Sequence, residues 1–216
     1  MQNSQILSHV ITDPNAIENQ SLQIIHAKIS GKYSGQRENL DIIKRVIHAT
    51  ADFDFLENLS FTENVIFNTR EILRAGKNHA IVTDTEMLKS GINKSIAQKF
   101  GIEIYCDSSS PEIKLEAQER KITRAIVNIE HAAEKFPNAI YAIGNAPTAL
   151  IRLCELVQEK AANPALIIGV PVGFVNVIEA KNFLETLANI PKIISRGNKG
   201  GSTVACAIVN AILYGL

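Results

Sequence analysis

HAIVTD at 79–84, IEIYC at 102–106, AIYAIG at 139–144, ALIIGVP at 165–171 and PKIIS at 191–195 are short apolar stretches, each bounded by turn residues. They are rich in Ile, Val and Ala, with little alternation of polar and apolar positions. Strands of that kind suit a parallel sheet covered on both faces. The segments between them have helical patterning, at 112–135, 147–160, 176–188 and 201–214. Strand and helix in alternation imply right-handed crossovers. The expected fold is therefore α/β, a doubly wound, mainly parallel five-stranded sheet with helices on both faces.

Upstream of this core the pattern is helical. Asp13-Pro14 reads as an N-cap followed by proline in the first turn. Ile17, Leu22, Ile24, Ile25 and Ile29 recur at roughly helical spacing, ending near Gly31. A second helix is expected over 35–50, with Leu40, Ile43, Val46 and Ile47 on one face. One domain is expected over 1–216, mainly helical through 78 and alternating β/α from 79.

Composition narrows the class. The chain has 216 residues, 46% of them hydrophobic, enough to bury a full core. Lys plus Arg and Asp plus Glu balance at 22 each, without the basic surplus of a nucleic-acid binder. Cys106, Cys154 and Cys206 lie far apart, with neither a CxxC pair nor a His at metal spacing, and read as small buried residues in a reducing compartment. The opening MQNSQILSHVITDPNA lacks the basic start and apolar run of a leader, and no stretch reaches the ~20 apolar residues of a membrane span. A soluble, cytoplasmic protein without a membrane partner is expected.

In doubly wound sheets, ligands bind where the strand-to-helix loops gather, at the carboxyl ends of the strands. Two of those loops stand out. GNAPT at 144–148 offers Gly144 for a tight turn, Asn145 as a helix cap and Pro147 for the first turn. GNKGGS at 197–202 frees the backbone at Gly197, Gly200 and Gly201, with Arg196 and Lys199 adding positive charge. Helix starts of this type favour anions. A phosphate loop would need Lys followed directly by Ser or Thr, and here two glycines follow Lys199, so a carboxylate-binding nest fits better. A third loop, GVPVGFV at 169–175, carries Gly173 and leads to Glu179 and Lys181, two residues apart and so on different helix faces.

His48, in RVIHATADFDF, is the candidate acid. It ends a predicted helix, with Lys44 and Arg45 before it and Asp52 and Asp54 after. Histidine suits proton transfer near neutrality. There is no HExxH, no visible Ser-His-Asp arrangement and no paired-Cys nucleophile, so neither hydrolysis nor metal catalysis has support, and no metal ligands are assigned.

RVIHATAD (45–52), VTDTEMLKSGI (82–92), AIGNAPTAL (142–150), GVPVGFVNVIEAK (169–181) and RGNKGGSTVACAIVNAI (196–212) together resemble the precorrin-8X methylmutase family, also called cobalt-precorrin-8 methylmutases. They run in the family's order across nearly the whole chain. The resemblance implies a flavodoxin-like fold and a homodimer with its site near the subunit interface. It implies an isomerase of cobalamin biosynthesis that moves a methyl group from carbon 11 to carbon 12 of the macrocycle, giving hydrogenobyrinic or cobyrinic acid. His48 matches the family's catalytic His, acting as an acid without a cofactor. The resemblance also implies substrate contacts by Ser21, Thr83, Asp84, Met87, Arg124, Gly144, Asn145, Thr148, Gly173, Arg196, Gly197, Lys199, Gly200, Gly201 and Ser202. The chain departs from the family's usual pattern at Leu22, Ala180, Asn198 and Lys199. The competing reading is a non-catalytic tetrapyrrole or nucleotide carrier using the same turns. The sequence leaves open whether the ring carries cobalt, with the cobalt form preferred.

Overall fold

The computed structural model describes residues 10–76 and 79–216. The first nine residues, which include most of the stretch read above for a leader, and Lys77–Asn78 at the expected end of the helical part lie outside them.

One six-stranded sheet organises the molecule. Its strands are β1 (Leu59–Phe61), β2 (Ala80–Thr83), β3 (Glu103–Tyr105), β4 (Ile140–Ile143), β5 (Leu166–Gly169) and β6 (Lys192–Ser195). Their order is β1-β6-β5-β4-β2-β3, parallel throughout except for β1, which runs antiparallel to β6 at one edge. The expectation of five strands is thus one short. The sixth comes from LSF in the N-terminal part, too brief to show a period and set among helical segments. Leu59 pairs with Ser195 and Phe61 with Ile193, so the N-terminal part supplies an edge to the sheet.

Adjacent strand residues face opposite layers, as a pleat requires. Ile140, Ala142, Leu166, Ile168 and Ile193 join one core. Tyr141, Ile143, Ile167 and Ile194 join the other. The first core is closed by α1 (Pro14–Ile29), α2 (Arg37–Thr50), α4 (Val65–Arg74) and α11 (Ser202–Tyr214), with the short α3 (Phe55–Asn58), α5 (Glu86–Gly91) and α6 (Lys94–Lys99) along its margin. The second is closed by α8 (Arg124–Lys135), α9 (Pro147–Gln158) and α10 (Val177–Thr186). Val204, Ala205, Ile208, Val209 and Ile212 of α11 are all buried, because that helix lies between the sheet and α2.

The helix expected over 112–135 is two helices, α7 (Pro111–Arg120) and α8. Lys121 adopts a left-handed conformation, with φ of 53°, and Thr123 caps the next helix by accepting from the Ile126 N–H. No Gly or Pro marks this break, and the helical pattern runs through it. Arg120 bridges it by donating to Glu130 at 2.6 Å. Among the described residues no helix is long and apolar enough to cross a membrane.

Candidate active site

The loops after β2, β4, β5 and β6 meet at the carboxyl edge of the sheet. The strand order reverses between β2 and β4, the position at which open α/β sheets bind ligands. Here the two glycine turns touch. A Cβ on Gly144 would come within 2.8 Å of Ser202 Cα and 3.0 Å of the Gly201 carbonyl oxygen. Gly144 is therefore explained by the close approach of the start of α11. Thr85 and Ser202 share a hydroxyl hydrogen bond of 3.3 Å beside it.

The two turns differ in what they offer. Asn145 does not cap α9: its N-cap is Ala146, with no side-chain hydrogen bond. The capping is done from outside by Asp84, whose Oδ2 accepts from the N–H groups of Asn145 and Ala146, both at 2.7 Å. Asp84 is only 1% exposed, and its Oδ1 has no hydrogen-bond partner among the described residues. Burial pushes its carboxyl up, against the pull of the N–H groups around it. The anion at this helix start is thus the protein's own, and GNAPT does not present those two N–H groups to a ligand.

GNKGGS is open by comparison. Among the described residues no acceptor takes up the N–H groups of Asn198, Lys199 or Gly200. Gly197 has φ of 68°, Gly200 157° and Gly201 129°. A side chain at Gly200 would overlap the Val170 carbonyl oxygen, so glycine is needed there both for conformation and for space. The loop is held from three sides. Asn198 donates through Nδ2 to the Gly173 carbonyl at 2.6 Å and accepts from the Gly173 N–H, joining it to GVPVGFV. Lys181 reaches it from α10. Lys199 Nζ donates to Asp52 at 2.7 Å and to Asp54 at 2.5 Å, on the turn that follows α2. The Lys199 ammonium holds the Asp52 carboxyl below the usual carboxylate range.

His48 lies in the last turn of α2, the end of a helix that accommodates positive charge. The helix stops at Ala51 in a left-handed conformation, with φ of 56°. His48 Nδ1 and Ser21 Oγ, on α1, are 2.8 Å apart. Both line a cavity of about 610 Å3 walled mainly by Ile11, Ile17, Ile24, Ile25, Ile47 and Phe53. Among the described residues no group pairs with Nε2 of His48.

Thr83, fully buried, accepts at its carbonyl from Asn128 Nδ2 at 3.1 Å and sits beneath the loop. Thr148 pairs with Thr123 at 3.0 Å, bringing the starts of α8 and α9 together beside exposed Arg124. Arg196 pairs with Glu185 at 3.3 Å, and Met87 is exposed. Among the described residues no group of three or more His, Cys, Asp or Glu could hold a metal ion. Sequence reading missed Asn128 and the structural use of Lys181. Both are buried polar residues on amphipathic helices that carry other polar residues, so no sequence signal sets them apart.

The family model described as precorrin-8X methylmutase matches residues 16–215. The cobalt-precorrin-8 methylmutase of Salmonella typhimurium is 42% identical over 96% of this chain and 98% of its own length. That of Priestia megaterium is 39% identical over 92% and 87% respectively. The crystal structure of precorrin-8x methyl mutase from Thermus thermophilus superposes with a TM-score of 0.81 at 35% identity, covering 92% of this chain and 96% of that one. The chain belongs to the precorrin-8X methylmutase family, isomerases of cobalamin biosynthesis.

Proposed function

We propose that this enzyme moves the methyl group on carbon 11 of a precorrin-8 ring to carbon 12, with His48 as the acid and Ser21 setting its orientation. The observation that carries the assignment is the 2.8 Å contact between Ser21 Oγ and His48 Nδ1 at an apolar cavity. In the imidazolium, Nδ1–H donates to Ser21, which leaves Nε2–H as the deliverable proton. The apolar walls suit the face of a macrocycle. The free N–H groups of 198–200 suit its peripheral carboxylates, as does Arg124, which stands at a helix start without a carboxylate partner among the described residues. Asp84 and Thr83 brace the turns, and Lys199 ties the glycine loop to the His48 segment. The carrier reading has no comparable support.

The parallel strands, taken alone, follow the order of flavodoxin-like folds, and we read the chain as one such domain over 1–216. A second copy of the chain covers the exposed face of α1 near the site, and the enzyme acts in the cytoplasm without a cofactor. The ring carries cobalt, as the names of the two relatives above suggest. Incubating the enzyme with metal-free and with cobalt-bearing precursor, and following the visible spectrum, tests this. Conversion of the cobalt form is expected, slowed by orders of magnitude in His48→Ala. Full turnover by that variant would remove the acid role.

A further inference from the structure

Lys181 is a lysine that the surface does not see. It is 2% exposed, sits on α10 and forms no salt bridge among the described residues. Its ammonium donates to the Gly197 carbonyl at 2.6 Å and to the Lys199 carbonyl at 2.8 Å. A buried cation satisfied only by backbone carbonyls is costly, and an apolar residue would fill the space more cheaply. What the amine adds is direction. In a trans peptide the carbonyl and the following N–H point opposite ways. Drawing the carbonyls of 197 and 199 inward turns the N–H groups of Asn198 and Gly200 outward. Those are two of the N–H groups left without an acceptor among the described residues. Ser195 Oγ adds a second bond to the Lys199 carbonyl at 2.8 Å, on the same inward side.

We propose that Lys181 is a positioning residue for substrate binding: from inside the protein it fixes the peptide planes of the glycine loop so that the Asn198 and Gly200 N–H groups form a carboxylate-binding pair. This rests on the reading that the loop grips a carboxylate of the ring. Lys181 itself touches no substrate. Its positive charge behind the loop also favours an anion in front of it.

The test uses the whole enzyme and two probes, cobyrinic acid and its carboxyl methyl ester. The wild-type enzyme is expected to bind the acid at least about tenfold more tightly than the ester, the worth of a charge-assisted hydrogen bond. Lys181→Met should reduce that preference about tenfold, the share owed to the loop rather than to Arg124, and raise KM, leaving kcat at saturation close to unchanged. Lys181→Arg, which can still donate to both carbonyls, should recover part of the preference. If Lys181→Met does not fold, as judged by thermal melting, Lys181→Leu, likewise without a donor, carries the same comparison. A variant that keeps the full preference, or loses affinity for acid and ester equally, would overturn the role of Lys181. A wild-type enzyme without any preference would instead remove the carboxylate reading of the loop.

Discussion

At the scale of single residues, the proposed site combines side chains assigned to the substrate with side chains that hold other residues in place. His48 and Ser21 are separable in this respect. His48→Ala removes the proposed acid and should lower turnover by about 10²–10⁴-fold while the ring still binds, the usual worth of general acid catalysis. Ser21→Ala removes only the hydrogen bond that orients the imidazole. A fall in kcat of about tenfold, with KM unchanged, is expected from the loss of one such bond; steady-state kinetics on both variants checks the ordering. Lys181 gives a prediction on stability. Burial lowers its pKa to about 8, against about 10.4 for a lysine in the unfolded chain. Between those values the unfolded chain holds a proton that the folded protein has lost, so stability rises with pH. The contribution is fully present above about 10.4 and is lost as pH falls through about 8. Urea unfolding of wild type and Lys181→Met should show the wild type gaining on the variant from pH 8 to 10, and a constant difference would contradict the shift.

At the scale of elements, the decisive contacts join segments distant in sequence. Asp84 and the Asn145–Ala146 amides belong to different βα units, and the sequence of either turn alone makes GNAPT look open to a ligand. That is why the turn was readable as an anion site while its occupant was not. The five apolar strands and most helices were legible, since period and turn residues are local properties. The antiparallel edge strand was not, because LSF becomes a strand only by pairing with β6. The break at Lys121 was not, because a left-handed lysine carries no compositional mark. The family resemblance points to His48 and Ser21 separately, whereas their contact, between α1 and α2, needed the fold. Gly144 yields a prediction at this scale. Alanine there would push its Cβ against the first residue of α11, and overpacking against backbone costs about 1–3 kcal/mol. The thermal midpoint of Gly144→Ala should fall by roughly 2–4 °C for each kcal/mol. An unchanged midpoint would mean that the two turns yield freely.

At the scale of the whole molecule, the outer face of α1 is an apolar surface left open among the described residues. Ile25 and Ile29 turn inward and are buried, whereas Ile17 is 46% and Ile24 51% exposed. Val10 and Ile11 are exposed beside them, and these residues line the same cavity as Ser21 and His48. Contiguous apolar surface of this kind marks a place where something docks. A closed pair about a twofold axis is the commonest way for a chain to cover it with its own copy. Covering it would also enclose the cavity and exclude water from the proton transfer. The expected state is therefore a dimer, at twice the 23.6 kDa of the chain by light scattering. Ile17→Glu with Ile24→Glu places charges on that face without touching the buried side of α1. The double variant should run as a monomer, keep its fold and lose most of its turnover. A wild-type enzyme that is monomeric at micromolar concentration and fully active would show that α1 needs no partner, and that the cavity closes on its substrate alone.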